Sequence, residues 1–229
     1  MLKTIGKLLF GGNCFLCRGK ADELLCRACD ADLPRLDREL CPRCALASPM
    51  GAVCGRCLTQ PPHFDATVAA LAYAFPTDVL VQALKFRGEL ALAPFFGTML
   101  AKRISTKDVD CILPVPLSSS RLRERGYNQA LEIARGIASA TGARLAPGLC
   151  ERARDTPAQM DLPLAERAKN VRGAFHCPRL VAGARVAVLD DVMTTGATLG
   201  EIAATLKRAG AARVENWVVA RTFPPAAAY

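Results

Sequence analysis

The chain has 229 residues, with 30 Lys and Arg against 21 Asp and Glu for a formal charge of +9, and 51% apolar against 22% charged residues. That balance excludes a disordered chain, and no apolar run approaches the ~20 residues of a membrane helix, which excludes a spanning protein. Residues 1–10 lack a small-residue cleavage site, so the eleven cysteines are expected in the cytoplasm and in some role other than a disulfide framework.

In chain order, Leu2, Ile5, Leu8 and Leu9 have helical spacing. They predict a short amphipathic helix packed on the cysteine-rich segment or the domain beyond it, with membrane contact as the alternative. Four Cys-x-x-Cys pairs come next: Cys14/Cys17, Cys26/Cys29, Cys41/Cys44 and Cys54/Cys57. Zinc takes four thiolates at tetrahedral corners, and each Cys-x-x-Cys turn places two sulfurs on one side of an ion. Gaps of eight and nine residues form a near-repeat, which predicts two successive ribbons holding two structural zinc ions. Interleaved ligation, iron–sulfur ligation and redox-active pairs are the alternatives. Residues 11–60 hold few bulky apolar side chains, so metal binding must supply much of their folding free energy, on the order of 10 kcal/mol per zinc. Chelation is then expected to unfold this region and leave the rest folded.

Pro61-Pro62 marks a linker that divides residues 1–60 from 61–229. Beyond it the pattern predicts a strand over Ala66–Phe75, helices over Thr77–Phe86 and Leu90–Ile104, and a buried strand over Val109–Val115. Next come an Ala-rich helix over Asn128–Ala140, a strand over Arg185–Leu189, a helix over Ala197–Ala209 and a strand over Val214–Ala220. Short apolar strands alternating with helices predict an α/β domain with a mostly parallel sheet covered on both faces.

The strand at 185–189 runs into two carboxylates, Asp190 and Asp191, and then Thr194-Thr195-Gly196-Ala197-Thr198 before a helix. Ligands of open α/β sheets bind beyond the carboxyl ends of the strands. Backbone N–H groups of such a turn, at a helix N-terminus, cradle an anion; Gly196 permits close approach, and the threonines add hydroxyl donors. The carboxylate pair suits ribose hydroxyls or hydrated Mg²⁺. His63 and His176 are the only histidines and neither sits in a catalytic pattern, which disfavours Ser/His/Asp chemistry. Cys111, Cys150 and Cys177 read as buried or unremarkable thiols, and Trp217 as core.

Leu189 to Thr198 resembles the phosphoribosyl-pyrophosphate (PRPP) signature of type I phosphoribosyltransferases. The resemblance implies that Asp190 and Asp191 hold the ribose hydroxyls and that Thr194, Thr195, Gly196, Ala197 and Thr198 bind the 5′-phosphate, with Mg²⁺ accompanying PRPP. A double Cys-x-x-Cys module before such a domain resembles the ComF family, the competence protein F homologues linked to DNA uptake and use. Ala83-Leu-Lys-Phe-Arg-Gly88, Leu113-Pro-Val-Pro-Leu117, Arg125-Gly-Tyr-Asn-Gln129 and the stretch from Arg152 to Asn170 fit it too. By that resemblance Val115, Pro116, Leu117 and Ser118 form the pyrophosphate loop, and Arg152 and Arg154 belong to a mobile loop that closes over substrate. Lys85 serves acceptor recognition, and Arg125, Gln159, Arg167 and Asn170 support the site.

Three readings compete: a Mg²⁺-dependent transferase acting on PRPP and an unknown acceptor, a DNA-uptake or DNA-processing factor contacting single-stranded DNA and protein partners, and a PRPP or nucleotide sensor without turnover. The first two are compatible. Each Cys₄ zinc centre carries −2, so two reduce the formal charge to +5, and the basic excess lies in residues 61–229. Arginines from Arg121 to Arg172 are therefore better DNA contacts than the ribbons.

Overall fold

A computed structural model of the chain describes residues 12–36, 39–154 and 169–224. The predicted N-terminal helix, Gln159 and Arg167 lie outside the described residues.

Two short helices belong to the cysteine module, α1 (Arg27–Ala31) and α2 (Gly55–Thr59). The next elements are β1 (Ala66–Ala72), α3 (Thr77–Phe86), α4 (Leu92–Ala101), β2 (Cys111–Pro114), α5 (Ser119–Arg125) and α6 (Gln129–Thr141). Then come β3 (Glu151–Arg152), β4 (Phe175–His176), β5 (Arg185–Met193), α7 (Ala197–Arg208) and β6 (Arg213–Arg221). Apart from α1, α2, α5 and the small β3–β4 hairpin, these are the elements the patterning predicts, within a few residues. α7 shows why: Leu199, Ile202, Ala203 and Leu206 recur at helical spacing and are all buried.

One difference bears on the site. The strand predicted to stop at Leu189 continues to Met193, because Asp190, Val192 and Met193 still pair with Val218, Ala220 and Arg221 of β6. The acidic pair therefore sits on the end of a strand held rigidly by its neighbour.

Four strands form a parallel sheet in the order β1-β6-β5-β2. Leu145 adds a parallel bridge to Ile112 beyond β2, so α6 carries the chain outward from β2 while α7 carries it from β5 in the opposite direction to β6. Right-handed crossovers in opposite directions place the two helices on opposite faces. In agreement, α4 and α6 pack together against one face, and α7 packs on β5, β6 and the β3–β4 hairpin. The switch point falls between β2 and β5, where the loops after those strands part and leave a crevice. α4 and α6 touch almost backbone to backbone: a Cβ on Gly97 would lie 2.9 Å from the Ile133 carbonyl oxygen and 3.0 Å from Gly136 Cα.

The cysteine module is not a separate bead. Leu36 N–H donates to Ala70, Ala72 N–H to Pro34, and Thr67 N–H to Pro42, so residues 34–36 pair antiparallel along the free edge of β1. Leu24, Leu25, Leu33 and Leu36 join the same buried cluster as the sheet. An open edge strand invites pairing with other chains, and the module covers it.

Candidate active site and metal centres

The eight cysteines form two groups, Cys14/Cys17/Cys26/Cys29 and Cys41/Cys44/Cys54/Cys57, and within each the four sulfurs lie within 4.8 Å of one another. Ligation is therefore sequential, and the interleaved alternative falls. A tetrahedron with Zn–S bonds of about 2.3 Å has edges of about 3.8 Å. Cys17 and Cys26 sulfurs are 3.7 Å apart, and those of Cys44 and Cys54 3.6 Å, so the residues fit zinc. The two centres repeat each other. After the first pair in each, Arg18 and Ala45 take positive φ of 64° and 54°, and Cys14 and Cys41 N–H close the turn onto Gly19 and Leu46. Cys26 and Cys54 then precede α1 and α2 as their N-caps.

Electrostatics within the groups also call for a dication. Burial works against ionising Cys14, but hydrogen bonds from the backbones of Cys17, Cys26 and Leu16 outweigh it and lower the thiol to about 6. Cys41 falls to about 7 in the same way. Burial and then the neighbouring sulfurs push Cys29 up to about 12. Four sulfurs so close are held together as thiolates only by a cation.

The second centre of chemistry lies where the four parallel strands end. A cleft of about 430 Å³ is lined by Tyr73 after β1, Thr222 after β6, Asp190 and Asp191 on β5, and Val115, Pro116 and Leu117 after β2. Lys85, Arg121, Arg125, Gln129, Arg152, Val192, Thr194 and Thr198 complete it. Four cationic side chains against two carboxylates give it an excess of positive charge, which favours anions.

Asp191 is 3% exposed, and its Oδ1 lies 2.7 Å from Lys85 Nζ. Its other oxygen, Oδ2, is buried with no hydrogen-bond partner. Burial alone would lower Lys85, but the Asp191 carboxylate, and then Asp190, outweigh it and raise the ammonium above its usual value. Asp190 is half-buried, and burial followed by repulsion from Asp191 pushes it up to about 7. An orphaned carboxylate oxygen beside a carboxyl reluctant to ionise is a place for hydroxyl donors or a cation, so the pair fits hydrated Mg²⁺ or a ribose edge.

The turn after β5 is the predicted cradle. Gly196 caps α7 with φ 83°, and a Cβ there would fall 2.6 Å from the Met193 methyl. Thr195 Oγ1 accepts from Ala197 N–H at 3.2 Å. A small cavity of about 30 Å³, room for one water or one phosphate oxygen, is bounded by Asp190, residues 192–194 and residues 196–199.

The other expected site residues divide. Arg152 lines the cleft, its guanidinium 5.6 Å over the Phe175 ring. Arg154 turns away and donates to the Arg172 carbonyl at 2.8 Å and to that of Asn170 at 3.5 Å, tying together the two ends of the segment between residues 154 and 169. Ser118 does not line the cleft; it caps α5, accepting from Arg121 N–H. Arg125 donates to Gln129 Oε1 at 2.8 Å and stacks 5.1 Å over Phe86. With Lys85, Phe86, Gly88, Glu124 and Tyr127 it also lines an adjoining pocket of about 170 Å³. Lys85 thus belongs both to that pocket and to Asp191. The sequence reading missed Tyr73, Gln129 and Thr222. Tyr73 and Thr222 stand one residue past β1 and β6, a signal available once those strands are read as parallel.

A parallel sheet with a cleft at its carboxyl edge, covered along one side by paired Cys₄ groups, defines an open α/β protein with a zinc-ribbon module. Residues 5–58 match the double zinc ribbon domain family. Over 223 residues the chain is 36% identical to the DNA utilization protein YhgH of Salmonella typhimurium, covering 93% of this chain and 98% of the relative. It is 31% identical over 226 residues to competence protein F of Haemophilus influenzae, with the same coverage. Competence protein ComFC of Streptococcus pneumoniae is 25% identical over 202 residues, 87% of this chain and 89% of that one. The chain belongs to the ComF family. Among solved structures, the allosteric regulatory enzyme of purine biosynthesis gives a TM-score of 0.38 at 30% identity, covering 55% of this chain and 25% of that one. A purine phosphoribosyltransferase from Pyrococcus horikoshii gives 0.35 at 14% identity, covering 60% and 90%. Among the described residues no helix is long and apolar enough to cross a membrane.

Proposed function

We propose that the cleft binds PRPP with Mg²⁺ and transfers its phosphoribosyl group to a nitrogen acceptor, in the service of DNA uptake or use. The observation that carries this reading is the convergence of the Asp190–Asp191 pair, the Thr194–Thr198 turn and the Val115–Leu117 loop on one cationic cleft at the switch point.

In the reaction the C1–O bond to pyrophosphate breaks, a C1–N bond forms to the acceptor, and the acceptor's proton leaves to solvent. The turn would anchor the 5′-phosphate, and the Asp190–Asp191 pair would orient the ribose hydroxyls or hold the hydrated Mg²⁺. When bound, that ion neutralises charge on the departing pyrophosphate. Val115 to Leu117 would offer backbone to the pyrophosphate, with Arg121 and Arg152 opposing its charge. The pocket between Phe86 and Tyr127 lies beside the cleft and has room for part of an acceptor. No side-chain nucleophile is needed, since positioning and charge stabilisation carry such a reaction.

The names of the relatives, competence protein F and DNA utilization protein, support a role with DNA. Single-stranded DNA and DNA-processing proteins are the partners we assign, and Cys₄ zinc sites suit the reducing cytoplasm. Isothermal titration with PRPP and Mg²⁺ tests the reading: binding is expected, and its loss in the Asp190→Ala/Asp191→Ala variant. No binding, or binding unchanged in that variant, would overturn it. Product formation with a panel of bases then separates a transferase from a sensor, and the salt slope of oligonucleotide binding tests the DNA contact.

A further inference from the structure

Arg221, the last residue of β6, is 1% exposed. A buried guanidinium demands partners, and this one takes them from two distant parts of the chain. Its Nε donates to the carbonyl of Cys44, a ligand of the second zinc centre, at 2.9 Å. Its Nη1 donates to Met193 at 2.9 Å, to Thr222 at 2.8 Å, and to Thr194. A second arginine, from the same ribbon as Cys44, reaches the same turn. Arg56, between Cys54 and Cys57, donates from Nη2 to the Thr195 carbonyl at 3.4 Å.

Three successive carbonyls of the turn, those of Met193, Thr194 and Thr195, are thus held by arginines. In a planar trans peptide the C=O and the following N–H point in opposite directions. Fixing these carbonyls toward the two arginines therefore fixes the N–H groups of Thr194, Thr195 and Gly196 away from them. Those are the donors an anion cradle needs.

We propose that the second zinc centre positions the phosphate turn through Arg221 and Arg56, while the first centre takes no part. Arg221 and Arg56 are positioning residues, acting on the ligand through the backbone they hold. On the reading that this turn binds the phosphate of PRPP, zinc at Cys41/Cys44/Cys54/Cys57 and phosphate at the turn bind cooperatively. Linkage makes the effect reciprocal: PRPP tightens the hold on the second zinc by the same factor that this zinc tightens PRPP.

The test is hydrogen exchange on the full zinc-loaded chain, read by mass spectrometry, with metal content measured in parallel. Cys57→Ser, which loses a ligand of the second centre, is expected to speed exchange in peptides spanning residues 193–200 by about tenfold, within the usual range of coupling. Peptides from α6, and the turn in Cys17→Ser, should be unchanged. Arg56→Ala and Arg221→Lys keep all eight thiolates, so they separate loss of the clamp from unfolding of the ribbon. Both should hold two zinc ions yet loosen the turn. Unchanged turn protection on losing the second zinc, or equal loss in Cys17→Ser, would overturn the proposal.

A second arm adds PRPP with Mg²⁺ during chelation and follows the cysteines by alkylation. About tenfold slower exposure of Cys41 to Cys57, with Cys14 to Cys29 unaffected, is expected; equal rates at both centres would refute the cooperativity. If the wild-type chain binds no PRPP, the proposed activity fails while the exchange arm, which needs no ligand, still decides the clamp.

Discussion

Lys85 and Asp191 give a sharp test of how the cleft is held. One sits on α3, the other on β5, and their side chains are 15% and 4% exposed at 2.7 Å. Replacing Lys85 with Met keeps the volume and removes the ammonium bonded to it, leaving the Asp191 carboxylate buried beside Asp190 without its ion-pair partner. Breaking a buried pair costs about 3–5 kcal/mol, whereas replacing both partners with neutral groups of similar shape costs little. The lower figure lowers Tm by about 6–12 °C, at ~2–4 °C per kcal/mol for a chain of this size. Lys85→Met and Asp191→Asn should each show such a loss, and the double variant should recover most of it, to within about 1 kcal/mol of wild type. Thermal and urea unfolding of all four proteins complete the cycle. Contacting residues in one network give a coupling well above the ~0.5 kcal/mol scatter of independent sites. If the two single effects simply add, the pair is not the buried bridge described and Lys85 is free to serve the adjoining pocket alone.

Gly97→Ala should destabilise despite the ~1 kcal/mol by which Ala is the better helix former, since its methyl would meet the Ile133 carbonyl at 2.9 Å and overpacking costs about 1–3 kcal/mol. A rise in Tm would contradict the close approach of α4 and α6. Burial alone would raise Asp65, but the hydrogen bond from Lys207 and that from Val214 N–H hold it below 3.8. A depressed folded-state pKa gives stability that is present above 3.8 and lost as pH falls through the folded value. Asp65→Asn should therefore flatten the acid limb of the stability–pH profile, and an unchanged limb would refute the assignment. Chelating both zinc ions should lower the unfolding temperature of the sheet as well as loosening residues 12–60, because residues 34–36 pair with β1 and Leu24 to Leu36 share its core. Equal protease resistance of residues 61–154 with and without chelator would contradict this.

The fold class, the elements of the sheet and the acidic-threonine turn were legible because each rests on a local pattern. Alternating apolar strands and 3.6-residue stripes read at short range, and Asp190 to Thr198 places carboxylates, a glycine and hydroxyls within nine positions. The four Cys-x-x-Cys pairs likewise pointed to structural zinc by their spacing, with iron–sulfur and redox pairs left as alternatives. The strand's true end at Met193 was not legible, because polar Asp190 and Asp191 stay in the ladder only through their pairing with β6.

What the tertiary structure alone decided is who meets whom. It chose sequential over interleaved sulfur pairing, brought Arg152 into the cleft while Arg154 turned to the Arg172 carbonyl, and set Lys85 on Asp191. It also joined Cys44 to Arg221 across 177 positions and Arg56 to Thr195 across 139. Such partners leave no periodic trace, since a buried arginine at a strand end reads like any basic residue until another element supplies its carbonyls. The sequence thus determined which side chains each segment brings, and the packing determined that the ribbons share an edge, a core and a hydrogen-bonded arginine with the cleft they flank.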